Sequence, residues 1–411
     1  MQYEKNDHIC SISDLIALEE SRQNLQLSFI ASENYAPQAV RSALGSLLGN
    51  KYAEGYPKKR YYAGCNIVDS IEECTIKSCK KLFDPHDLMH ANVQPHSGSG
   101  ANMAAYMAFA EPGSRILGMH MFSGGHLTHG NKASFSSSVY QALTYKVDYA
   151  TGFMDYAEIE RLAQSYRPKI IMAGASAYSR KINFERLAEI ALQTNAIFIA
   201  DIAHVAGLIV AGLYPNPVGY ADCVTGTTQK TLRGPRGGFI LCKKEFAQKI
   251  DRAVMPGIQG GPFMNVIAAK GICFDSAATQ EFKEYQKQVL HNAQIMTQRF
   301  KELGYTIVSG GTDTHLFIID LRPQKIDGKA AEEKLEHIGI ITSRSTIPDD
   351  YEKPFTGSGI RLGTAAITTR KISPEALLNI VDGIDACLKN GPTEYLKNLI
   401  EKIASQFPIP D

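Results

Sequence analysis

Between about residue 114 and residue 242 short apolar runs alternate with stretches of helical period, and this alternation confines the chain to a narrow set of folds. The runs are SRILGM (114–119), PKIIMAG (168–174), AIFIAD (196–201), ADCVTGT (221–227) and GGFILC (237–242). They are short and apolar on consecutive positions, as strands buried on both faces must be. Helical patterns such as NFERLAEIALQTN lie between them. Together they predict an α/β fold with a mainly parallel sheet covered on both sides. Near residue 280 the pattern changes. EFKEYQKQVLHNAQIMTQRFKELGY repeats apolar residues at three- and four-residue steps, from Phe282 through Val289 and Met296 to Leu303, and predicts a long amphipathic helix. TIVSG, HLFIIDL and SGIRLGTAAIT follow as expected strands, with helices around 328–338 and 374–388, the second opened by Ser373-Pro374-Glu375. The reading is a large unit over residues 1–279, including an N-terminal arm, and a smaller C-terminal α+β domain over 280–411.

Composition narrows the partners. Lys plus Arg number 43 and Asp plus Glu 42, a net charge of +1, so no global field recruits nucleic acid or a membrane surface. The 8 cysteines include no CxxC pair and read as free thiols of a reducing, cytoplasmic compartment. The first residues, MQYEKNDHICSISDLIALEE, lack the apolar core of a secretory signal. AIFIADIAHVAGLIVAGL has the length of a membrane span, but Asp201 and His204 lie inside it, and a charged group at that depth is costly. A buried strand, a turn and a second apolar segment account for it better.

Several constellations could carry chemistry. Lys230, in TTQKTLRGPRGG, emerges near the end of a buried strand, where α/β folds bind ligands. A lone lysine there is more commonly a solvated loop residue, but a buried one has a lowered pKa and can form a Schiff base with a carbonyl. Asp201 closes AIFIAD; it could cap the next turn, or hold the protonated ring nitrogen of pyridoxal phosphate. HSGSGANMAAYMAFA, His96 to Ala110, places Gly and Ser at a helix start, whose free N–H groups suit a phosphate or simply cap the helix. A phosphate loop, an aspartate at a strand end and a lysine at a later strand end make one site for that cofactor. In SGGHLTHG, His126 among glycines could stack on a flat ring, while His126 and His129 with Asp201 and His204 also offer a metal set, for which no HExxH or Cys/His cluster is present. Arg361, in SGIRLGT, could fork onto a substrate carboxylate or form a surface ion pair; its Ile and Leu neighbours favour burial.

With these residues in view the chain resembles the serine hydroxymethyltransferases, fold-type I pyridoxal phosphate enzymes, from about residue 12 onward. The likeness rests on IASENY, NKYAEGYPKKRYYAGC, ANVQPHSGSGAN, GGHLTHG, SAYSR, DIAHVAG, LYPNPV, QKTLRGPRGG, QGGP, SGGTDTHLF and SGIRLGT in order. It implies a seven-stranded sheet in the large domain, and serine–glycine interconversion with tetrahydrofolate as one-carbon acceptor. It further implies that Lys230 holds the cofactor as a Schiff base, Asp201 pairs with its ring nitrogen and His126 stacks on the ring. By the same likeness His204 and Ser176 meet the 3′ oxygen, and Ser97, Gly98 and Ser99 bind the phosphate. Tyr52, Gly260 and Gly261 reach that phosphate from a neighbouring subunit. Glu54, also from the neighbour, is the acid–base group at the substrate hydroxymethyl, with Tyr61 and Tyr62 beside it. Ser32 and Arg361 hold the substrate carboxylate, and Met121, Gly125, Leu127 and Ser345 are the folate contacts. Such sharing implies at least a homodimer.

The chain departs from the family pattern near these positions. Gln229 stands where histidine is usual, and glutamine can hydrogen-bond but not titrate near neutral pH. Ser345 stands for an asparagine, Ser123 and Asn265 for histidines, and Ala365 for a proline. The anchor residues are intact, so the acceptor is the open part. The competing expectation is a folate-independent aldolase or transaldolase acting on β-hydroxy amino acids such as L-threonine or L-allo-threonine. A third is a catalytically silent relative that only binds, against which Lys230, Asp201, Glu54 and Arg361 argue.

Overall fold

The computed structural model describes residues 11–350 and 355–410. Its main sheet contains β1 (Met89–Asn92), β2 (Arg115–Met119), β3 (Gln141–Tyr145), β4 (Ile170–Ala173), β5 (Ile197–Asp201), β6 (Cys223–Thr227) and β7 (Gly238–Lys243), in the order β1-β7-β6-β5-β4-β2-β3. The pairings from β3 across to β6 are parallel, while β7 runs antiparallel to β6 and β1, so the sheet is mixed rather than purely parallel. The five apolar runs became β2, β4, β5, β6 and β7. β1 and β3 were not expected, because MHAN and QALTY are short and mix polar with small residues. AIFIADIAHVAGLIVAGL folds as β5, a turn and a helix at Ala206–Val210. Among the described residues no helix is long and apolar enough to cross a membrane.

α1 (Gly98–Phe109) follows β1 and packs on β6 and β7. Its start is forced against the sheet: a side chain on Gly98 would meet Thr227 at 2.4 Å, and one on Gly238 would meet the Ser97 carbonyl at 2.3 Å. α2 (Met264–Ala277) leads into α3 (Gln280–Glu302), the long amphipathic helix, whose Val289, Ala293, Met296 and Phe300 are buried. A second, antiparallel sheet follows: β8 (Thr306–Ile307), β9 (Leu316–Asp320), β10 (Ser343–Ser345) and β11 (Gly359–Gly363), in the order β8-β9-β11-β10. α4 (Pro374–Asn390) packs on α3.

One expectation fails locally. The strand read through SGIRLGTAAIT stops at Gly363, and Ala365–Thr369 turn into a helix, with the Thr364 hydroxyl donating to the Val289 carbonyl at 2.7 Å. The N-terminal arm also reaches far along the chain. Leu27–Ser28 pair in parallel with Ile340–Ile341, and Leu27 and Phe29 are buried in the same core as Met296, Phe317 and Ile380.

Candidate active site

The carboxyl ends of β4, β5 and β6 open into a cavity of about 340 Å³, the place where open α/β sheets bind ligands. The cavity gathers residues predicted from distant parts of the sequence. Ser32, Ser97, Gly98, Ser99, His126, Ser176, Asp201, His204, Gln229, Lys230 and Arg361 all line it. Asn102, Thr227 and Arg236 line it too and were not singled out. Asn102 could have been found as the residue one turn into α1 from Gly98.

Asp201 ends β5, with its side chain 10 % exposed. Its Oδ2 accepts from Asn102 Nδ2 at 2.8 Å and meets His129 Nε2 at 3.1 Å, and its Oδ1 accepts from the Ala203 N–H at 2.9 Å. Burial alone would raise its pKa. The bond and charge of His129, aided by His126 and Asn102, prevail and hold it well below the usual carboxylate range. The acid is therefore ionised. His129, offered above as a metal ligand, instead supports this carboxylate. Among the described residues no group of three or more His, Cys, Asp and Glu is placed to hold a metal.

His126 begins the short turn Leu127–His129. Its Nδ1 meets Thr128 Oγ1 at 2.8 Å, which fixes the ring over the cavity mouth. Burial, then the neighbouring His129, pushes its pKa down to about 4 against the pull of Asp201, so the ring is neutral. Ser97 caps α1 by accepting the Gly100 N–H at 3.0 Å. The N–H groups of Gly98 and Ser99, at the first positions of the helix, have no acceptor within it.

Lys230 follows β6 and is 9 % exposed. Among the described residues its Nζ has no hydrogen-bond partner. Burial pushes its pKa down to about 8; Asp201 pulls upward, while Arg361 and Arg236 push the same way as burial. Arg361, on β11, crosses from the second sheet. One guanidinium nitrogen donates to the Ser176 carbonyl at 2.7 Å; among the described residues its buried Nε has no partner and no carboxylate pairs with the group. Burial lowers its pKa to about 10. A guanidinium whose buried Nε lacks an acceptor is suited to gripping an anion. Gln229 lines the same cavity, and its Oε1 accepts the Gly237 N–H at 3.4 Å.

The remaining predicted residues lie elsewhere on the chain. Glu54, Tyr61 and Gly260 line a separate, more open cavity of about 510 Å³. The Tyr62 hydroxyl donates to Glu54 at 3.2 Å, Tyr52 stands edge-on to Tyr62, and Gly261 lies against the Tyr52 ring. Tyr52 and Tyr61 are 66 % and 75 % exposed. The loop is nonetheless rigidly held by Arg60, a residue the sequence reading passed over. Its guanidinium donates to the Ala53 and Gly55 carbonyls on either side of Glu54, at 2.9 and 2.8 Å, and pairs with Asp69 and Glu72. None of the expected folate contacts lines the Lys230 cavity. Met121, Gly125 and Leu127 lie on the turns before and after His126, and Ser345 Oγ donates to the Thr346 carbonyl at 2.9 Å. The other departures from the expected pattern have structural work: Ser123 accepts the Val147 N–H, Asn265 donates to the Leu44 carbonyl, and the Ala365 carbonyl accepts from Tyr285.

The serine hydroxymethyltransferase family model matches residues 5–384. The chain belongs to that family. It is thus a pyridoxal phosphate-dependent transferase that interconverts L-serine and glycine, with tetrahydrofolate as the one-carbon acceptor. The seven-stranded sheet and its crevice are the fold-type I architecture of such a serine hydroxymethyltransferase.

Proposed function

We propose that the Lys230 cavity is where this chain carries out the serine hydroxymethyltransferase reaction. The observation that carries the placement is a pair of cations, buried Lys230 and partly buried Arg361, that face one cavity beside an ionised Asp201 and have no carboxylate ion-pair partner among the described residues. These residues fit pyridoxal phosphate. When bound, that cofactor supplies an electron sink for the carbanion left at the substrate Cα. Lys230 anchors its aldehyde carbon: an amine with a pKa of about 8 is neutral, and so nucleophilic, far more often at neutral pH than an ordinary lysine. Asp201 would hold the ring nitrogen protonated, and neutral His126 would pack on the ring without adding charge. The N–H groups of Gly98 and Ser99 take the phosphate at the positive end of α1. Arg361, with the Ser32 hydroxyl, grips the amino acid's carboxylate and so orients the bonds at Cα.

A second copy of the chain completes the site. Half-buried Glu54 and the exposed Tyr61 and Tyr62 form a group away from the Lys230 cavity of their own chain, with Tyr62 bonded to Glu54. In a homodimer that group meets the partner's cavity, where Glu54 moves the proton at the substrate hydroxymethyl oxygen. Free cysteines, buried in all but one of the described cases, suit a reducing cytoplasm.

The test is glycine formation from L-serine by the loaded protein, with and without tetrahydrofolate, beside L-allo-threonine cleavage without folate. Serine turnover that depends on folate supports the assignment. Cleavage of allo-threonine with no response to folate would instead give the chain to the aldolase reading.

A further inference from the structure

His204 lines the Lys230 cavity and is 5 % exposed. Behind it, on the chain entering β9, lies His315, which is 0 % exposed. The two rings are nearly parallel, with centroids 5.5 Å apart, and His204 Nδ1 meets His315 Nε2 at 3.3 Å. His315 Nε2 also lies 3.2 Å from the Ala31 carbonyl, and His315 Nδ1 is buried with no partner.

This arrangement fixes the protons. A carbonyl oxygen only accepts, so His315 Nε2 must carry hydrogen. Burial keeps this ring neutral, with a pKa pushed down to about 3, so Nδ1 is bare, as its lack of an acceptor allows. His204 Nδ1 faces the same N–H and must be the acceptor, since two hydrogens would otherwise collide. Burial, followed by the charge of Lys230, keeps His204 neutral as well. Its one proton therefore sits on Nε2. Among the described residues that nitrogen has no hydrogen bond, and it is not among the sealed interior atoms; it is left to the cavity.

We propose that His315 is a positioning residue that holds His204 in its Nε2–H tautomer, so that His204 presents a hydrogen-bond donor to an anionic oxygen bound in the Lys230 cavity. The relay begins at Ala31, next to Ser32, and so ties the N-terminal arm to the proton on His204. That the oxygen belongs to the cofactor rests on the placement proposed above. The tautomer does not.

Ring ¹⁵N spectra of the histidine-labelled, cofactor-free protein test this directly, with His204 assigned by its loss in His204→Asn. The expected native spectrum shows His204 protonated at Nε2 and bare at Nδ1. In His315→Phe, which keeps a flat ring but removes the donor, His204 becomes a mixture of tautomers. In His315→Gln, whose amide can still donate, the Nε2–H form returns. A native His204 protonated at Nδ1, or one unmoved in His315→Phe, overturns the proposal, and the native spectrum decides the matter even if that variant fails to fold. Pyridoxal phosphate titrations supply the second arm: affinity falls about tenfold in His315→Phe and recovers in His315→Gln, the worth of one buried hydrogen bond. Tautomer mixing with unchanged affinity would count against the cofactor's placement and not against the relay.

Discussion

Lys270 and Arg370 are buried cations of the scaffold; Lys230, buried, and Arg361, partly buried, are cations of the cavity. The first pair is fully engaged. Lys270 Nζ donates to the carbonyls of Val93, Pro95 and Gly238 at 2.8–3.0 Å, pinning β1, β7 and the approach to Ser97. Arg370 donates to the carbonyls of Gln23, Asn24, Gln26, Ala404 and Phe407, tying the N-terminal arm to the last helix. The second pair has one carbonyl contact between the two of them, Arg361 to Ser176. Taking a cation out of water is costly, and a chain offsets that cost by giving it acceptors. The scaffold pair has them. The cavity pair awaits them from a ligand, and that is how the two roles can be told apart.

The sharpest break between the pairs is a double contrast. Lys230→Met is expected to lose turnover by several orders of magnitude while leaving the cofactor-free chain as stable as before, or slightly more so, because an unpaired buried cation has been removed. Lys270→Met should do the reverse to stability, costing about 2–4 kcal/mol by stranding carbonyls in the interior. Denaturant midpoints of the cofactor-free proteins check both. Next comes Arg361→Ala. Losing its charge-assisted grip on a carboxylate is worth about 3 kcal/mol, so kcat/KM for serine should fall about 100-fold, with little change in the cofactor's absorbance. The smallest effect is assigned to Gln229→His. The glutamine's bond to Gly237 is long, and it pairs with neither Lys230 nor Asp201, so steady-state turnover should change by less than about tenfold.

How much of this could be read from the chain itself differs by region. Lys230, Asp201 and Arg361 were legible because each sits on or beside an apolar strand, and strand periodicity places residues well. The helix start at Ser97 was legible through its small residues. β1 and β3 were missed because MHAN and QALTY owe their strand state to neighbouring strands and not to their own composition. The helix at Ala365–Thr369 reads as strand because of its β-branched residues, and its bonds to α3, from Thr364 to Val289, Tyr285 to Ala365 and Asn292 to Thr368, hold it as a turn of helix. His129 was weighed as a metal ligand, and its partner Asp201 is apparent only once β5 and the turn after β2 lie side by side. His315 gave no sign at all: a histidine before LFIIDL says nothing of an imidazole and a carbonyl brought to it from residues 204 and 31. Arg60 lies inside NKYAEGYPKKRYYAGC, where Tyr52, Glu54, Tyr61 and Tyr62 draw the attention, though it is Arg60 that holds the carbonyls around Glu54.

The most direct measurement exposes the cofactor-free protein to pyridoxal phosphate across a pH series, traps the adduct by borohydride reduction and maps it by mass spectrometry. The account predicts one adduct, on Lys230, whose rate of formation rises with pH and levels off above about 8 as the amine loses its proton. An adduct on Lys270 or on surface lysines, or a Lys230 whose reactivity keeps climbing toward the ordinary lysine value of 10.5, would contradict it.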